Sequence, residues 1–358
     1  MGEIKVNREK IFILLSFFYV QYSFSKESNE VNLFIWDEYI NPSVVDNFEK
    51  KHGANVNIKT FESDSDRDDY ILKYGNREFD LILVDSQAAE HYMSLGWIKE
   101  IDKSSNNLTH VKLPKVKDIH TRGNACIPYF WGTTGIAFRK DLVIHPINSL
   151  KDIFLPSNHL KGKIMMPNRD EELFGMALKY LGHSFNSNLK SELHEAKSVI
   201  LNQSKYVQEY YDEFDLSHKS KLVTGEAYAS ISYNIDAYML KERYETNIEY
   251  IIPDEGGAVW ADFLCLSSGS ANPTLAIKFL RFINTKESAA ENAIYTNGAT
   301  PNLHAISILP EKALKNKDIY PNEESLVNSE MYKNVNLDTI EFRNQTLNEI
   351  NFKATNED

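Results

Sequence analysis

The chain has 358 residues, 42% of them hydrophobic and 25% charged, with a formal net charge of −12. That length is more than one compact core usually holds, so two lobes are expected. An acidic surface repels nucleic acid and attracts cations, which argues against nucleic-acid binding.

The N-terminus differs from the rest. Lys5, Arg8 and Lys10 give a basic start, Ile11 to Val20 is an apolar run of ten residues, and Ser23-Phe24-Ser25 sets small residues around a cleavage point. This order reads as a secretory signal peptide over residues 1–25, with the mature chain starting near Lys26. A membrane span needs about 20 apolar residues, twice this run. A buried core helix is the other reading of so short a run. No Cys lies near the cleavage point, which argues against a lipid anchor.

The mature chain opens with a short apolar strand, Val31 to Trp36. Asn41-Pro42 then starts a helix, a capping Asn with Pro at the first helical position, and the helix stops near Gly53. Val56, Ile58 and Thr60 alternate with polar residues as a strand does. After a polar helical stretch, Phe79 to Val84 is apolar on both faces, as central strands of a parallel sheet are. Strand and helix alternate, which predicts a doubly wound α/β lobe.

Cys126 and Cys265 are the only cysteines, each in an apolar run that reads as core. An exported chain could join them, but the sequence does not give their separation. The α/β pattern restarts at Lys163 to Met166, where Asn168 with Glu171 reads as a helix capping box and Gly182 ends the helix. Tyr228 to Ser232, Tyr250 to Ile252 and Trp260 to Leu266 read as strands. A helix is expected over about Asp236 to Arg243, another starts at Asn272-Pro273, and a further one ends at Asn297-Gly298. No Ser/Gly/Pro linker separates the halves, so two lobes joined by several crossings fit best.

Ligands of open α/β sheets bind at the carboxyl ends of strands. The residues there are Trp36, Asp37 and Tyr39; Asp85 and Ser86; Arg169 and Glu172; and Tyr233 and Asp236. Trp260 and Asp262 begin the strand after Gly256-Gly257. Carboxylates among aromatic rings suit an organic cation: the acids bind ammonium groups, and ring faces add cation–π attraction of roughly 0.5–2 kcal/mol each. Each residue also has a plainer reading. Asp37, Asp85 and Asp236 could be caps or turn residues, Glu172 sits in a helix first turn where acids are favoured anyway, and Trp36 and Trp260 could be core. The chain carries no phosphate-binding G-x-x-x-x-G-K-[ST], no G-x-S-x-G and no H-E-x-x-H, and its ten His lack metal-ligand spacing.

Phe34 to Tyr39, Cys126 to Thr133, Glu255 to Asp262 and Thr300 to Leu303, in this order and spacing, resemble the bacterial spermidine/putrescine-binding periplasmic proteins, over about residues 31 to 335. The resemblance implies an α/β, two-lobed periplasmic binding protein fold of type II, each lobe a sheet flanked by helices. Residues 26–137 with 260–300 would form the first lobe, and 138–259 with 301–358 the second. It implies wall or stacking roles for Trp36, Tyr39, Tyr233 and Trp260, and ammonium-binding roles for Glu172, Asp236 and Asp262. Asp37 and Asp85 stand where the family often has a hydroxyl or acidic contact, and Ser86 beside Asp85 is counted with the ligand-binding residues. Three positions depart from the family: Tyr233 stands where it usually has Trp, Arg169 where many members have an acid, and Gly298 falls near a usual Tyr.

The expected protein is a periplasmic, non-enzymatic binder of a polyamine such as spermidine, putrescine or norspermidine. It is monomeric, has no cofactor or metal, and delivers its ligand to an inner-membrane ABC permease. Asn41 to Val45, Leu83 to Asp85 and Tyr129 to Thr133 resemble the family's sensory branch instead, whose members signal to a membrane GGDEF–EAL receptor controlling cyclic di-GMP. A hydrolase on the same two-lobed plan is the third alternative.

Overall fold

The computed structural model describes residues 29–101, 111, 113–114 and 126–356. The signal peptide expected over residues 1–25 and the processed start near Lys26 lie outside the described residues. The first stretch runs β1 (Glu30–Trp36), α1 (Pro42–His52), β2 (Asn55–Phe61), α2 (Asp64–Tyr74), β3 (Leu81–Asp85) and α3 (Ser86–Ser94). Next come β4 (Cys126–Arg139), α4 (Lys151–Phe154), β5 (Ile164–Pro167), α5 (Asp170–Tyr180), α6 (Lys190–Ser204), β6 (Val207–Tyr211) and α7 (Lys221–Thr224). They are followed by β7 (Ala229–Tyr233), α8 (Asn234–Tyr244), β8 (Ile248–Ile251), β9 (Ala258–Leu266), α9 (Pro273–Ile283) and α10 (Lys286–Thr296). The chain ends with α11 (Leu303–Ile306), α12 (Glu311–Leu314), β10 (Glu330–Met331) and α13 (Leu337–Asn356).

The strands follow the order β2-β1-β3-β9-β4-β7-β5-β6, with β10 beside β9 and β8 beside β4. β1, β2 and β3 are parallel, and β9 runs antiparallel to β3. β4 is long enough to serve both lobes. Its first part pairs with β9 from Cys126 opposite Cys265 to Thr134 opposite Ala258, and its second part pairs with β7 and β8. The buried side chains divide accordingly. One core gathers Phe34, Phe48, Phe130, Phe263 and Phe279 from β1, α1, β4, β9 and α9. A second gathers Met166, Phe174, Ile200 and Ile231 from β5, α5, α6 and β7, closed by Ile350 of α13. A small third group lies between α8 and β8 around Leu240 and Ile248. The molecule is thus an α/β protein of two lobes, each with strands flanked by helices. Trp260 packs against both large cores.

Local chemistry explains the boundaries. Asn41 accepts the Ser43 N–H with Pro42 following it, and Gly53 ends α1 in the left-handed region at φ 60°. Asn272 caps α9 by accepting the Leu275 N–H. The capping box expected at Asn168 and Glu171 does not form. α5 starts two residues after Asn168, at Asp170, and the Asn168 amide donates to Asp212 instead. For the lobe division, the cores suggest one amendment. Leu309, Ile319 and Leu326 pack in the first core, so we place residues 301–331 with the first lobe, where the sequence reading had them with the second.

Cys126 and Cys265 face each other across β4 and β9 and are joined by a disulfide 139 residues apart in sequence. Closing so long a loop removes freedom mainly from the unfolded chain, a stabilisation of about 2–5 kcal/mol. The C126S/C265S variant should therefore unfold at markedly lower urea, with a stability loss in that range. A midpoint equal to that of the parent would show the bridge to be energetically idle.

Candidate ligand-binding site

The first-lobe side of the site is organised by one buried guanidinium. Arg67, on α2, is 1% exposed and lies 2.5 Å from Asp64, 2.9 Å from Asp68 and 3.7 Å from Asp85. Asp85 ends β3 and caps α3, its Oδ1 accepting the N–H groups of Gln87 and Ala88. Its plain role as a cap is thus filled, and Ser86 is buried in the first turn behind it. Directly opposite Asp85 in the sheet stands Asp262 of β9. The Tyr39 hydroxyl donates to Asp262 Oδ2 at 2.6 Å. Burial, followed by the charges of Asp64 and Asp85, lifts the Asp262 carboxyl to about 7 against the opposing effects of Tyr39 and Arg67.

The second-lobe side is built on the first turns of α5 and α8. Glu172 is buried; its Oε1 accepts the Tyr233 hydroxyl at 2.6 Å, while its Oε2 is buried without a hydrogen-bond partner among the described residues. Asp236, one turn into α8, is partly buried, and desolvation raises it to about 7. Its charge is felt by the Tyr39 hydroxyl on the other lobe. Arg169, just ahead of α5, has Nε 3.4 Å from Glu172 Oε1 and Nη2 3.8 Å from Asp64 Oδ2, so it links the two sides.

Aromatic rings form the wall. Trp260 stands opposite Gly132 in the β4–β9 ladder, and a Cβ at Gly132 would come within 2.2 Å of the indole. Only glycine lets the ring lie on the strand there. Tyr233 meets Trp260 edge to face at 6.1 Å, and Tyr39 meets Phe130 in the same way at 5.2 Å. Trp36 is half-buried and packs at 4.5 Å on Phe61.

The structure therefore links Tyr39, Asp85, Glu172, Tyr233, Trp260 and Asp262 through direct contacts, with Asp236 in electrostatic reach. Asp37 stands apart in an exposed turn, with no hydrogen bond or ion pair to the group among the described residues. Sequence reasoning missed Asp64, Arg67, Tyr129 and Tyr332. Tyr129 donates to the Tyr39 carbonyl at 3.0 Å, and burial, followed by the Glu172 charge, raises the Tyr332 hydroxyl pKa. Asp64 and Arg67 fall in an acidic stretch that reads as a solvated helix. No described helix is long and apolar enough to cross a membrane.

The family model for bacterial extracellular solute-binding proteins matches residues 43–321. A norspermidine sensor from Vibrio cholerae is 28% identical over 315 residues, spanning 86% of both chains. A spermidine/putrescine-binding periplasmic protein from Escherichia coli is 27% identical over 314 residues, 86% of this chain and 88% of that one. In three dimensions, a spermidine/putrescine ABC transporter substrate-binding protein from Streptococcus pneumoniae shares the fold with a TM-score of 0.81. It is 23% identical and is covered over 98% of its length by 90% of this chain.

The raised carboxyls have a consequence for stability. Asp236 and Asp262 stay protonated up to about 7 when folded but have an ordinary value of 3.8. Between those values the folded chain holds protons that the unfolded chain has released, so these two groups make stability fall as pH rises through that window. Urea midpoints from pH 4.5 to 7.5 should fall less steeply in D236N and in D262N than in the parent. Equal slopes in all three proteins would contradict the assignment.

Proposed function

The chain belongs to the bacterial extracellular solute-binding protein family, and from that premise we propose that it captures a polyamine between its lobes. One observation carries the ligand class. Asp236 and Asp262 sit on opposite lobes, partly buried, with no ion pair among the described residues and with carboxyls raised to about 7. An ammonium group taken from water costs several kcal/mol unless it meets such a partner. Trp260, Tyr233 and Tyr39 add ring faces beside these acids, and apolar ring surface covers methylenes at about 0.8 kcal/mol per buried CH₂. A linear chain with ammonium groups at its ends matches both demands. The named relatives point the same way, since one is a norspermidine sensor and another a spermidine/putrescine binder.

A family of solute binders is the ground for reading a role without chemistry of its own. We propose that the chain is exported by residues 1–25, acts as a monomer in the periplasm and hands its ligand to an inner-membrane ABC importer. A second reading rests on the Vibrio cholerae relative, which is a sensor and matches as much of this chain as the carrier does. In that reading the liganded protein signals to a membrane receptor. Neighbouring genes separate the two: ATPase and permease genes favour delivery, a membrane-anchored GGDEF–EAL gene favours signalling.

Two experiments test this function. Mass spectrometry of periplasmic material should find a chain starting near Lys26, and an intact Met1 in the cytoplasm would refute export. Calorimetry of the mature protein should show Asp262→Asn weakening polyamine binding by roughly 2–5 kcal/mol, or about 30-fold or more. Trp260→Leu should cost less, about 0.5–2 kcal/mol. If D262N binds as the parent does, the site is misplaced; if the parent binds sugars or neutral amino acids but no polyamine, the ligand class is wrong.

A further inference from the structure

The protein's own cations compensate only some of the acids of the site. Leaving aside Asp85, which caps α3, and Asp68, which Arg67 holds, the carboxylates that gather there are Asp64, Glu171, Glu172, Asp236 and Asp262. The protein itself supplies cations to two of them. Asp64 Oδ1 is held by the buried Arg67, and its Oδ2 lies 3.8 Å from Arg169 Nη2. Glu172 Oε1 lies 3.4 Å from Arg169 Nε. Asp236 and Asp262 have no ion-pair partner among the described residues.

Arg169 is well placed for such a role. It precedes α5 in an extended conformation (φ −121°, ψ 128°), so its side chain leaves the helix instead of capping it. The side chain is 44% exposed, whereas that of Glu172 is 4% exposed. The guanidinium thus forms the open rim of the site and bridges a carboxylate of each lobe. Any ammonium group brought to Glu172 would stand beside this fixed positive charge, and like charges placed side by side in a desolvated site discriminate strongly against a ligand.

We infer that Arg169 takes one cation position of the closed site for itself, so that the site selects a linear amine with two ammonium groups over one with three. Asp236 and Asp262, which sit on opposite lobes without an ion pair among the described residues, are the partners left for the diamine's two ammonium groups. This deepens the polyamine reading and rests on it. Glu172 then acts as the anchor of Arg169 and of the Tyr233 hydroxyl, and its buried Oε2 remains open to a neutral donor.

Calorimetry with 1,4-diaminobutane and spermidine on the parent, R169Q and R169K tests it. The parent should bind the diamine more tightly than the triamine. R169Q, which removes the charge, should shift the ratio of the two dissociation constants toward the triamine by about tenfold or more, and R169K should keep the parent's ratio. A role in folding or rigidity alone would weaken both ligands together and leave the ratio unmoved. A parent that prefers spermidine, or an R169Q ratio within about twofold of the parent's, overturns the inference while leaving polyamine binding intact. If neither the parent nor R169Q binds either amine, the polyamine reading itself falls, and this inference with it. Should R169Q fail to fold, a triamine preference in R169K, which keeps the charge, would overturn the inference alone.

Discussion

A carboxylate drawn out of water must keep a proton, meet a cation or accept hydrogen bonds, and each acid of this site takes one of these courses. Arg67 pairs with Asp64, Asp68 and Asp85. Asp85 spends its other oxygen on the start of α3. Among the described residues Asp262 receives only a hydroxyl, from Tyr39, and Asp236 is left to burial. The distribution of compensation decides where an outside cation gains most: at the acids the protein leaves least satisfied. A site of uniformly paired acids would hold its shape as well and attract nothing.

That distribution depends on a scaffold that puts acids from distant parts of the chain side by side. β9 brings Asp262 opposite Asp85, although 177 residues separate them in sequence. β4 and β9 also carry the aromatic wall, because Gly132 on one admits Trp260 from the other. The same segment is tied to the second lobe: the Asn234 amide oxygen accepts the Thr133 N–H, and its nitrogen donates to the Asp318 carbonyl. The wall is therefore set by backbone pairing rather than by loops.

Much of the fold was legible because its signals are local. Asn41-Pro42 and Asn272-Pro273 begin helices, since a side-chain acceptor and a missing N–H act within one turn. Apolar runs such as Leu81 to Val84 declared buried strands. The failures came where a long-range partner competes. Asn168 looks like a cap until Asp212, 44 residues on, takes its amide. Arg67 looks like one charge in a solvated helix until three aspartates and the Tyr92 hydroxyl close around it. In the candidate site, Tyr39, Tyr233, Trp260 and Asp262 follow from strand ends and from the family resemblance. Arg169 was visible as a departure from that family, but its reach to Asp64 needed the two lobes in place.

The bridge between Cys126 and Cys265 also alters what the second lobe is in covalent terms. Every strand and helix from β5 to β8 lies between the two sulfurs, so together with the crossing segments they form one closed circuit. The first lobe is threaded through both ends of that circuit. A single cut anywhere from β5 to β8 would open the ring without freeing a fragment, because both pieces would remain fastened to the same sheet until the sulfurs were reduced.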